Sequence, residues 1–527
     1  MLHHPRLRGT VAGLLTAATS LGVAELISGT VRGTPSPVVS VGNWVIDHVP
    51  SGVKSFAIRT FGANDKVALI AGTLAVLAVS AAVLGVIATT RFRIGAAGIV
   101  LFGVIGAAAA LTRPTGRAVD VLPSVVGTVA GVIALRFLVG RPPAEQPPDG
   151  EASAADDRVV TTAAPAPDLA ASGLDRRRFL LTAATTAAVA GSTAGLGRAL
   201  RSRFSVSAAR SALRLPAPAS VAAPVPAGAD LGVPGIASFV TPNADFYRVD
   251  TTLATPQVDP ANWTLRVKGM VDHELRLSFD DLLSRPMIER DITLVCVSNE
   301  VGGTYAGTAR WLGVPLADLL REAGVHSTAD QLVSRSVDGW TAGSPVADVM
   351  DGRDAMIAVG MNGEPLPVAH GFPARLIVPG LYGFVSATKW LTELELTTFS
   401  AFDPYWARRG WAKQAPIKTL SRIDTPRGLS RVPAGRTAIG GVAWAVHRGI
   451  DSVEVRIDDG PWQPAQLAPS PTTDTWRQWT LPWDATSGNH TITCRSTDAT
   501  GALQTDQRVQ PIPDGASGWH SVVVIVE

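Results

Sequence analysis

The stretch TLVCVSNEVGGTYAGTARWLGVPLADLL, residues Thr293 to Leu320, decides how the second half of this chain folds. It opens on an apolar run rich in β-branched side chains, which indicates a short buried strand. A polar and glycine-rich segment, SNEVGG, follows at residues 298–303 and indicates a turn. Cys296 is therefore predicted at the end of a strand, facing a loop.

Cys296 allows two interpretations. A thiolate at a strand end can ligate a soft metal or act as a nucleophile. A free cysteine can equally be a small buried hydrophobic residue, which is the commoner case. The residue by itself leaves both interpretations open.

The surroundings of Cys296 resemble the sulfite oxidase family of molybdopterin enzymes, in which this cysteine supplies the protein sulfur to molybdenum. The resemblance starts from Cys-x-x-Asn, a glycine-rich turn and TARWLGVPLADLL, and it extends from Phe239 to the C-terminus. Four further stretches occur in the order found in the family: FYRVDT at 246–251, HGFPARLIVPGLYGFVSATKW at 370–390, WRQW at 476–479 and GWH at 518–520.

The resemblance implies a molybdenum–molybdopterin cofactor, with Cys296 as the metal ligand. A pterin phosphate requires cationic groups and backbone N–H donors. The residues implied in cofactor binding are Arg248, Thr251, Asn299, His370, Arg375, Gly380, Gly383, Ser386, Thr388 and Lys389. Other interpretations stay open for some of them, because an arginine can lie on the surface, a glycine can serve a plain turn and an asparagine can cap one.

The substrate pocket departs from the family pattern at two positions. Family members that act on sulfite or nitrate carry an arginine near position 300, where this chain has Glu300. The active-site tyrosine of sulfite enzymes is replaced by Trp340 in DGWTAGSPVADVMD. An oxyanion needs fixed positive charge, and Arg477 of WRQW is the remaining candidate to supply it. We therefore expect oxygen-atom transfer on a small, non-anionic substrate, with sulfite oxidase-type activity as the alternative.

Composition indicates a membrane protein. Only 17% of the 527 residues are charged, and the mean hydropathy is +0.21, which is typical of chains with membrane spans. A net charge of +2 argues against a nucleic-acid partner. Two cysteines, Cys296 and Cys494, fall in different predicted domains and predict no disulfide framework.

Residues 1–141 are predicted to form a four-helix transmembrane region. Its apolar segments are Val11 to Ile27, Val67 to Thr90, Ile94 to Leu111 and Val121 to Val139. Arginines before the first segment and between the second and third predict a cytoplasmic N-terminus. A channel or a haem-binding electron relay is the alternative to a structural bundle, but none of the 9 histidines lies in a predicted span, which disfavours haem bound by two histidines.

Three segments connect the membrane region to the rest of the chain. Residues 142–174 are rich in proline, alanine and acidic residues and predict a flexible cytoplasmic linker. Residues 175–200 contain Arg176 and Arg177 before an apolar run, a pattern typical of a twin-arginine export signal. The same residues fit a fifth membrane span, and both can hold if the signal stays as an anchor. Residues 201–238 are predicted to be an extracytoplasmic tether.

The remaining chain predicts two domains. Residues 239–424 mix short strands with short helices, which indicates an α+β molybdopterin-binding domain like that of sulfite oxidases. Residues 425–527 alternate in short strands, including VEVRI, HTITCRS and SVVVIV, which is typical of an immunoglobulin-like β-sandwich. Family members often dimerise through such a domain, so the resemblance also implies a homodimer.

These observations predict a membrane-anchored, extracytoplasmic molybdenum oxidoreductase with a small-molecule substrate and an unidentified electron-transfer partner. Two other classes remain open from the residues. One is a redox-inactive binding protein on an anchored sandwich domain. The other is a hydrolase with Cys296 as nucleophile, which requires a nearby base such as His370.

Overall fold

The protein is described by a computed structural model that covers residues 5–50, 52–53, 60–61, 65–139 and 169–527. It divides into two compact units, Met1–Ser205 with Thr252–Ala254, and Val206–Thr251 with Thr255–Glu527. Most of the predicted linker at 142–174 and the side chain of Arg176 lie outside the described residues.

The first unit is helical. Its α-helices are α1 Pro5–Thr30, α2 Pro37–His48, α3 Asp65–Ala88, α4 Phe92–Leu111, α5 Leu122–Val139 and α6 Leu169–Ser202. In the part of the chain that the structure describes, five helical segments are long and apolar enough to cross a membrane. They correspond to α1, α3, α4, α5 and α6, so the four predicted spans and the fifth are all helical. The short helix α2 was not predicted.

Glycines set the packing of α1 against α3. Gly13 of α1 lies against the backbone of Ala81, and Gly9 lies against Val86. Because lower residue numbers in α1 meet higher numbers in α3, the two helices are antiparallel. Backbone contact at glycine is the usual way in which helices approach closely in a membrane.

Helices α1 and α6 instead run parallel. A Cβ on Gly22 would lie 2.6 Å from the Ala190 carbonyl oxygen, and one on Gly29 would lie 2.5 Å from that of Gly197. Glu25 of α1 pairs with Arg201 of α6 at 2.8 Å. The N-terminal ends of α1 and α6 therefore lie at the same end of the helical unit.

The second unit contains five short helices and nineteen strands. The helices are α7 Ser207–Ala212, α8 Phe279–Leu283, α9 Leu316–Ala323, α10 Val346–Met350 and α11 Gly383–Ser386. The strands are β1 Thr264–Gly269, β2 Leu275–Ser278, β3 Ile288–Val295, β4 Ala306–Pro315, β5 Gln331–Ser336, β6 Thr341–Pro345, β7 Met356–Met361, β8 Glu364–Pro365, β9 Arg375–Ile377, β10 Leu391–Thr397, β11 Leu420–Thr425, β12 Arg431–Val432, β13 Gly435–Trp444, β14 Ile450–Ile457, β15 Gln463–Pro464, β16 Gln466–Leu467, β17 Arg477–Ala485, β18 Gly488–Asp498 and β19 His520–Val526.

Two sheets carry the predicted cofactor region. One has the order β2-β1-β10-β5-β6, and the other has the order β3-β4-β7-β8, with β9 pairing to β7. Strand β3 pairs antiparallel with β4 along its length, from Ile288 opposite Gly313 to Val295 opposite Ala306. Leu294 and Val295 belong to two different apolar clusters, so this strand is buried on both faces. Cys296 follows directly after β3, as the sequence predicts.

The C-terminal strands form two further sheets, ordered β11-β13-β17-β16 and β12-β19-β18-β14-β15. Ile439, Trp479, Val453 and Cys494 from both sheets share one hydrophobic core. Shared burial of this kind is typical of a β-sandwich. The immunoglobulin-like assignment stays a prediction. The predicted boundary at 424 is too late, because β11 already begins at Leu420 and pairs with β13.

The prediction that residues 201–238 form a free tether is wrong. The Ala219 amide donates to the Met287 carbonyl and the Glu289 amide donates to the Ser220 carbonyl, each at 2.8 Å. Ala229 is only 1% exposed. The segment covers the otherwise unpaired edge of β3, and an unpaired edge is costly to leave open. The high alanine and proline content of this segment is therefore compatible with an extended chain that packs against β3.

The contact between α1 and α6 generates a stability prediction. Gly29→Leu places a side chain where the Gly197 carbonyl lies, so the helices must separate. Overpacking of this kind typically costs about 1–3 kcal/mol. We expect a lower unfolding temperature of the detergent-solubilised full chain. Gly191→Leu on α6 is the matched control, because a Cβ there meets nothing within 4 Å. An equal effect of both substitutions would contradict the packing.

Candidate functional site

Cys296 begins a closed loop. Its amide donates to the Tyr305 carbonyl at 2.9 Å, and its own carbonyl accepts from the Asn299 amide at 3.0 Å. The Asn299 Oδ1 atom accepts from the Tyr305 amide at 2.8 Å. Gly302 has a φ of +84°, the left-handed region that favours glycine. These bonds hold the loop between β3 and β4 in one conformation.

The thiol of Cys296 is buried, with the residue 9% exposed. Burial raises its pKa, while hydrogen bonds from Ser298 and the charge of Lys389 act in the opposite direction. A thiol in this environment keeps its proton until a cation replaces it, because a thiolate needs nearby positive charge. The position therefore suits a metal ligand better than a free nucleophile.

Lys389, whose charge acts on the Cys296 thiol, belongs to a group of basic side chains that includes Arg375. Arg375 is 5% exposed, and among the described residues it donates to two carbonyl oxygens, to His370 at 3.1 Å and to Ala387 at 3.4 Å. Burial lowers the pKa of Arg375 to about 10. Lys389 pairs with Asp250 at 2.9 Å, and burial, opposed by Asp250, lowers its pKa to about 8. Both side chains remain cationic at neutral pH.

His370 is the neutral member of this group. Its Nε2 atom lies 3.3 Å from the Asn243 carbonyl oxygen, so the Nε2–H donates and Nδ1 is left as an acceptor. Burial, with the charges of Arg375 and Lys389, lowers the pKa of His370 to about 4. A buried imidazole with this pKa stays uncharged and does not act as the base that a cysteine hydrolase requires.

Two buried donors near Cys296 show that an anionic cofactor fits. Asn299 Nδ2 and Arg375 Nε are buried and have no hydrogen-bond partner among the described residues. A buried donor without a partner is costly. A phosphate and a polar heterocycle would satisfy both donors, which is the chemistry that a pyranopterin offers.

Several predicted cofactor residues come together at this place: Cys296, Asn299, His370, Arg375, Lys389 and, through Asp250, Arg248. Arg248 donates to Asp250 at 2.8 Å and is 40% exposed in its side chain. Thr251 follows Asp250 and is half-buried. A Cβ on Gly383 would lie 3.7 Å from the Val295 carbonyl oxygen, so Gly383 borders the cysteine loop, and its contact with the cofactor stays a prediction.

Three predicted cofactor residues contact neighbouring segments of the protein. Ser386 Oγ donates to the Leu381 and Tyr382 carbonyls, each at 3.0 Å. Thr388 Oγ1 bonds Ser334 Oγ at 2.6 Å. A Cβ on Gly380 would lie 2.9 Å from His447 Cβ. These contacts fix the 380–388 segment against its neighbours, so the predicted contacts of these three residues with cofactor are not supported.

Arg477 does not reach the cysteine loop through any of its described contacts. Its guanidinium donates to the Ala468 and Ile450 carbonyls, each at 2.8 Å. Ile450 belongs to β14 and Ala468 directly follows β16. These contacts do not support the prediction that Arg477 supplies positive charge to a substrate pocket.

The two departures from the family pattern lie at turns. Glu300 is exposed in the cysteine loop, where its carbonyl accepts from the Gly303 amide at 2.8 Å. Trp340 is half-buried between β5 and β6, and its amide donates to Asp338 at 3.1 Å.

The sequence prediction missed two tyrosines. Burial raises the pKa of Tyr247, to which the charges of Cys296 and Arg375 also contribute in opposite directions. Burial likewise raises the pKa of Tyr382, and Cys296 contributes to it. A Cβ on Gly383 would lie 3.8 Å from the Tyr247 hydroxyl. Tyr247 lies in FYRVDT and Tyr382 in LIVPGLYGF, so the motifs contained both, but nothing in their spacing showed that they approach one thiol.

Comparison with known proteins agrees with this site. Residues 252–406 match the family model described as an oxidoreductase molybdopterin binding domain. Human mitochondrial sulfite oxidase is 30% identical over 342 residues, which are 55% of this chain and 62% of that protein. The chain thus spans less than two thirds of the length of this relative.

Two further matches cover most of the length of the protein that is compared. Sulfite oxidase from Gallus gallus is 30% identical over 336 residues, covering 54% of this chain and 72% of that protein. The crystal structure of the sulfane dehydrogenase SoxCD from Paracoccus pantotrophus is similar with a TM-score of 0.48 and 24% identity, covering 55% of this chain and 84% of that chain. The match to the avian protein and the molybdopterin domain place this chain in the sulfite oxidase family of molybdenum-dependent, molybdopterin-binding oxidoreductases.

Proposed function

We propose that this protein is a membrane-anchored oxidoreductase that transfers an oxygen atom to or from a small, non-anionic substrate outside the cytoplasm. The observation that carries the proposal is the buried Cys296 thiol with the buried Arg375 and the 11%-exposed Lys389 side chain. Two buried donors, Asn299 Nδ2 and Arg375 Nε, lack partners among the described residues. Molybdenum–molybdopterin, when bound, supplies the two-electron redox chemistry that amino-acid side chains lack.

The residues of the chain bind and orient this cofactor. Cys296 is the protein ligand to the metal, and its rigid loop sets the direction of the sulfur. Arg375, Lys389 and Arg248 would provide positive charge for the phosphate of the cofactor, and the buried Asn299 Nδ2 would be a donor for its pterin. Neutral His370 contributes an acceptor at Nδ1. Charge-assisted bonds in a buried place are the strong ones.

Tyr247 is proposed to hold a proton close to the reacting centre. Its raised pKa keeps the phenol neutral at physiological pH, so the hydroxyl can donate a hydrogen bond to a substrate oxygen. A neutral donor stabilises an S–O or N–O dipole without requiring a full negative charge on the substrate.

The substrate class follows from the charges at the loop. Glu300 places a carboxylate in the turn after the metal ligand, and Arg477 is committed elsewhere. An anion entering here loses water without a matched cation. Reduction of an organic S-oxide or N-oxide fits these groups better than oxidation of sulfite. Sulfite oxidase-type activity is the second candidate, favoured by the named activity of the relatives.

The location is proposed from the helix directions. Because α1 and α6 are parallel, their N-terminal ends lie at one end of the helical unit. Arg8 of α1 lies at this end, and so does Arg91, which follows the antiparallel helix α3. Arginines that flank the spans favour the cytoplasmic side, and Arg177 and Arg178 near the start of α6 add to the arginines at this end. Helix α6 then leads the chain out of the cytoplasm, where an electron-transfer partner must meet it.

The role of Cys296 is tested by substitution. Cys296→Ser removes the soft ligand, so we expect catalytic turnover to fall below about one hundredth of the wild-type value, because loss of a residue that only supports a ligand already costs about 10–100-fold, with an unchanged unfolding temperature. Cys494→Ala is the control. Cys494 is fully buried, so its loss should cost on the order of 1 kcal/mol of stability and leave the metal content unchanged. Full activity of the Cys296→Ser protein would sink the assignment.

The substrate proposal is tested by steady-state assay with artificial electron donors and acceptors. We expect turnover of sulfoxides or N-oxides and poor turnover of sulfite and nitrate. Glu300→Gln should raise kcat/KM for sulfite about two- to fivefold, the range for one exposed charge interaction, and leave a neutral sulfoxide unaffected. Efficient sulfite oxidation by the wild-type enzyme would show that the second candidate is right.

The location is tested with a reporter fused after Glu527. A reporter enzyme that is active only outside the cytoplasm should therefore show activity in this fusion. Replacing Arg176 and Arg177 together by lysine should abolish export if the segment is read as a twin-arginine signal. Replacing Arg91 and Arg93 by lysine keeps the same charge elsewhere and should have no effect. A reporter active only in the cytoplasm would overturn the topology.

A further inference from the structure

We propose that the C-terminal sheets position the metal-ligating loop, with Arg422 and His520 as the positioning residues. The proposal rests on the proposed role of Cys296. Neither residue needs to touch substrate or cofactor. Each contacts the glycine turn that closes the loop, and together they determine where the loop holds the Cys296 thiol.

Arg422 binds the turn directly. Its Nη1 donates to the Gly303 carbonyl at 2.9 Å, and its side chain is only 6% exposed. Two further nitrogens of the guanidinium donate to Asp424. The carboxylate thereby fixes the plane of the arginine, so the bond to Gly303 has a defined direction. Charge-assisted bonds in such a setting are among the stronger ones in proteins.

His520 contacts the turn from strand β19. Its Nδ1 accepts from the Ile423 amide at 3.0 Å, which assigns the proton to Nε2. A Cβ on Gly302 would overlap this Nε2 atom, so the ring lies directly against the glycine. Burial, with the charge of Arg422, lowers the pKa of His520 to about 4, and the ring stays neutral beside the arginine.

The same sheets also hold the strand that precedes the cysteine. The Thr293 amide donates to the Asp474 carbonyl at 2.9 Å, and Thr293 Oγ1 accepts from the Trp476 amide at 2.8 Å. Trp476 is 1% exposed and belongs to the core of the cofactor region. The segment around Cys296 is therefore held by the C-terminal sheets on both sides of the thiol.

This arrangement separates two tasks. Hydrogen bonds within the loop, from Cys296 and Asn299 to Tyr305, set its internal shape. Contacts from Arg422 and His520 set its position against the rest of the unit. Loss of the second set should free the loop without unfolding either pair of sheets, because His520 is paired with Cys494 through the β18–β19 backbone ladder, which a change of its side chain leaves in place.

The test measures the exposure of the thiol in the full-length protein purified without cofactor. Alkylation of Cys296 by iodoacetamide is followed by mass spectrometry, with Cys494 as the internal reference. In Arg422→Ala we expect the alkylation rate of Cys296 to rise about tenfold or more, which corresponds to the loss of one charge-assisted hydrogen bond, and in His520→Ala about two- to tenfold, the range for one neutral hydrogen bond. Cys494 should stay protected.

Two variants serve as controls. His520→Asn offers an amide oxygen to the Ile423 amide and should restore much of the protection. His490→Ala removes another histidine of the C-terminal sheets, one that pairs with Asp458, and should leave Cys296 unchanged. In the cofactor-loaded enzyme the Mo(V) electron paramagnetic resonance signal should broaden in His520→Ala and not in His490→Ala.

An unchanged alkylation rate of Cys296 in both alanine variants would overturn the proposal. A parallel rise at Cys494 would overturn it too, because the two residues would then stabilise the whole unit. The alkylation rates do not depend on molybdenum. A failure of Cys296 as metal ligand would appear instead as retained activity in Cys296→Ser, so the two failures are distinguishable.

Discussion

Two buried cations with one buried carboxylate are the constraint on which this site depends. In the part of the chain that the structure describes, Arg375 donates to carbonyl oxygens and Lys389 shares Asp250 with Arg248. A buried charge without a partner is costly in a medium of low dielectric constant. The excess positive charge therefore favours an anionic ligand, and the same charge acts on the thiol of Cys296 through Lys389. The same excess of positive charge therefore favours both an anionic cofactor and the deprotonated form of Cys296.

The position of Cys296 depends on packing over long sequence distances. Strand β3 is buried on both faces, its outer edge is covered by residues near Ser220, and its C-terminal end is held by residues near Trp476. Such a strand has little freedom to shift, since a change of register would expose every side chain on the wrong face. The rigid strand explains how a single protein sulfur can be presented with a defined direction. The C-terminal sheets thus help to hold the segment that carries the proposed metal ligand.

The helical unit follows a different physical rule. Its helices are in contact through glycine and small residues, with Gly22 and Gly29 of α1 against the backbone of α6. In a membrane no hydrophobic effect draws helices together, so close van der Waals contact and a few polar pairs must do so. The ion pair between Glu25 and Arg201 lies at one end of this contact. Helix α6, which carries the signal-like sequence, is therefore a packed member of the unit.

Local patterns in the sequence determined the strand before Cys296 and the five apolar helices, because periodicity and turn residues act over a few neighbouring positions. The resemblance to the sulfite oxidase family, carried by its motifs, pointed to Cys296, Asn299, His370, Arg375 and Lys389. Only the tertiary structure decided that Arg477 and Ser386 bond their own segments, that residues 201–238 cover a strand edge, and that Tyr247 and His520 approach the cysteine loop. The reason is physical: a local pattern reports whether a side chain is buried, whereas its partner across the fold depends on which distant segments pack together.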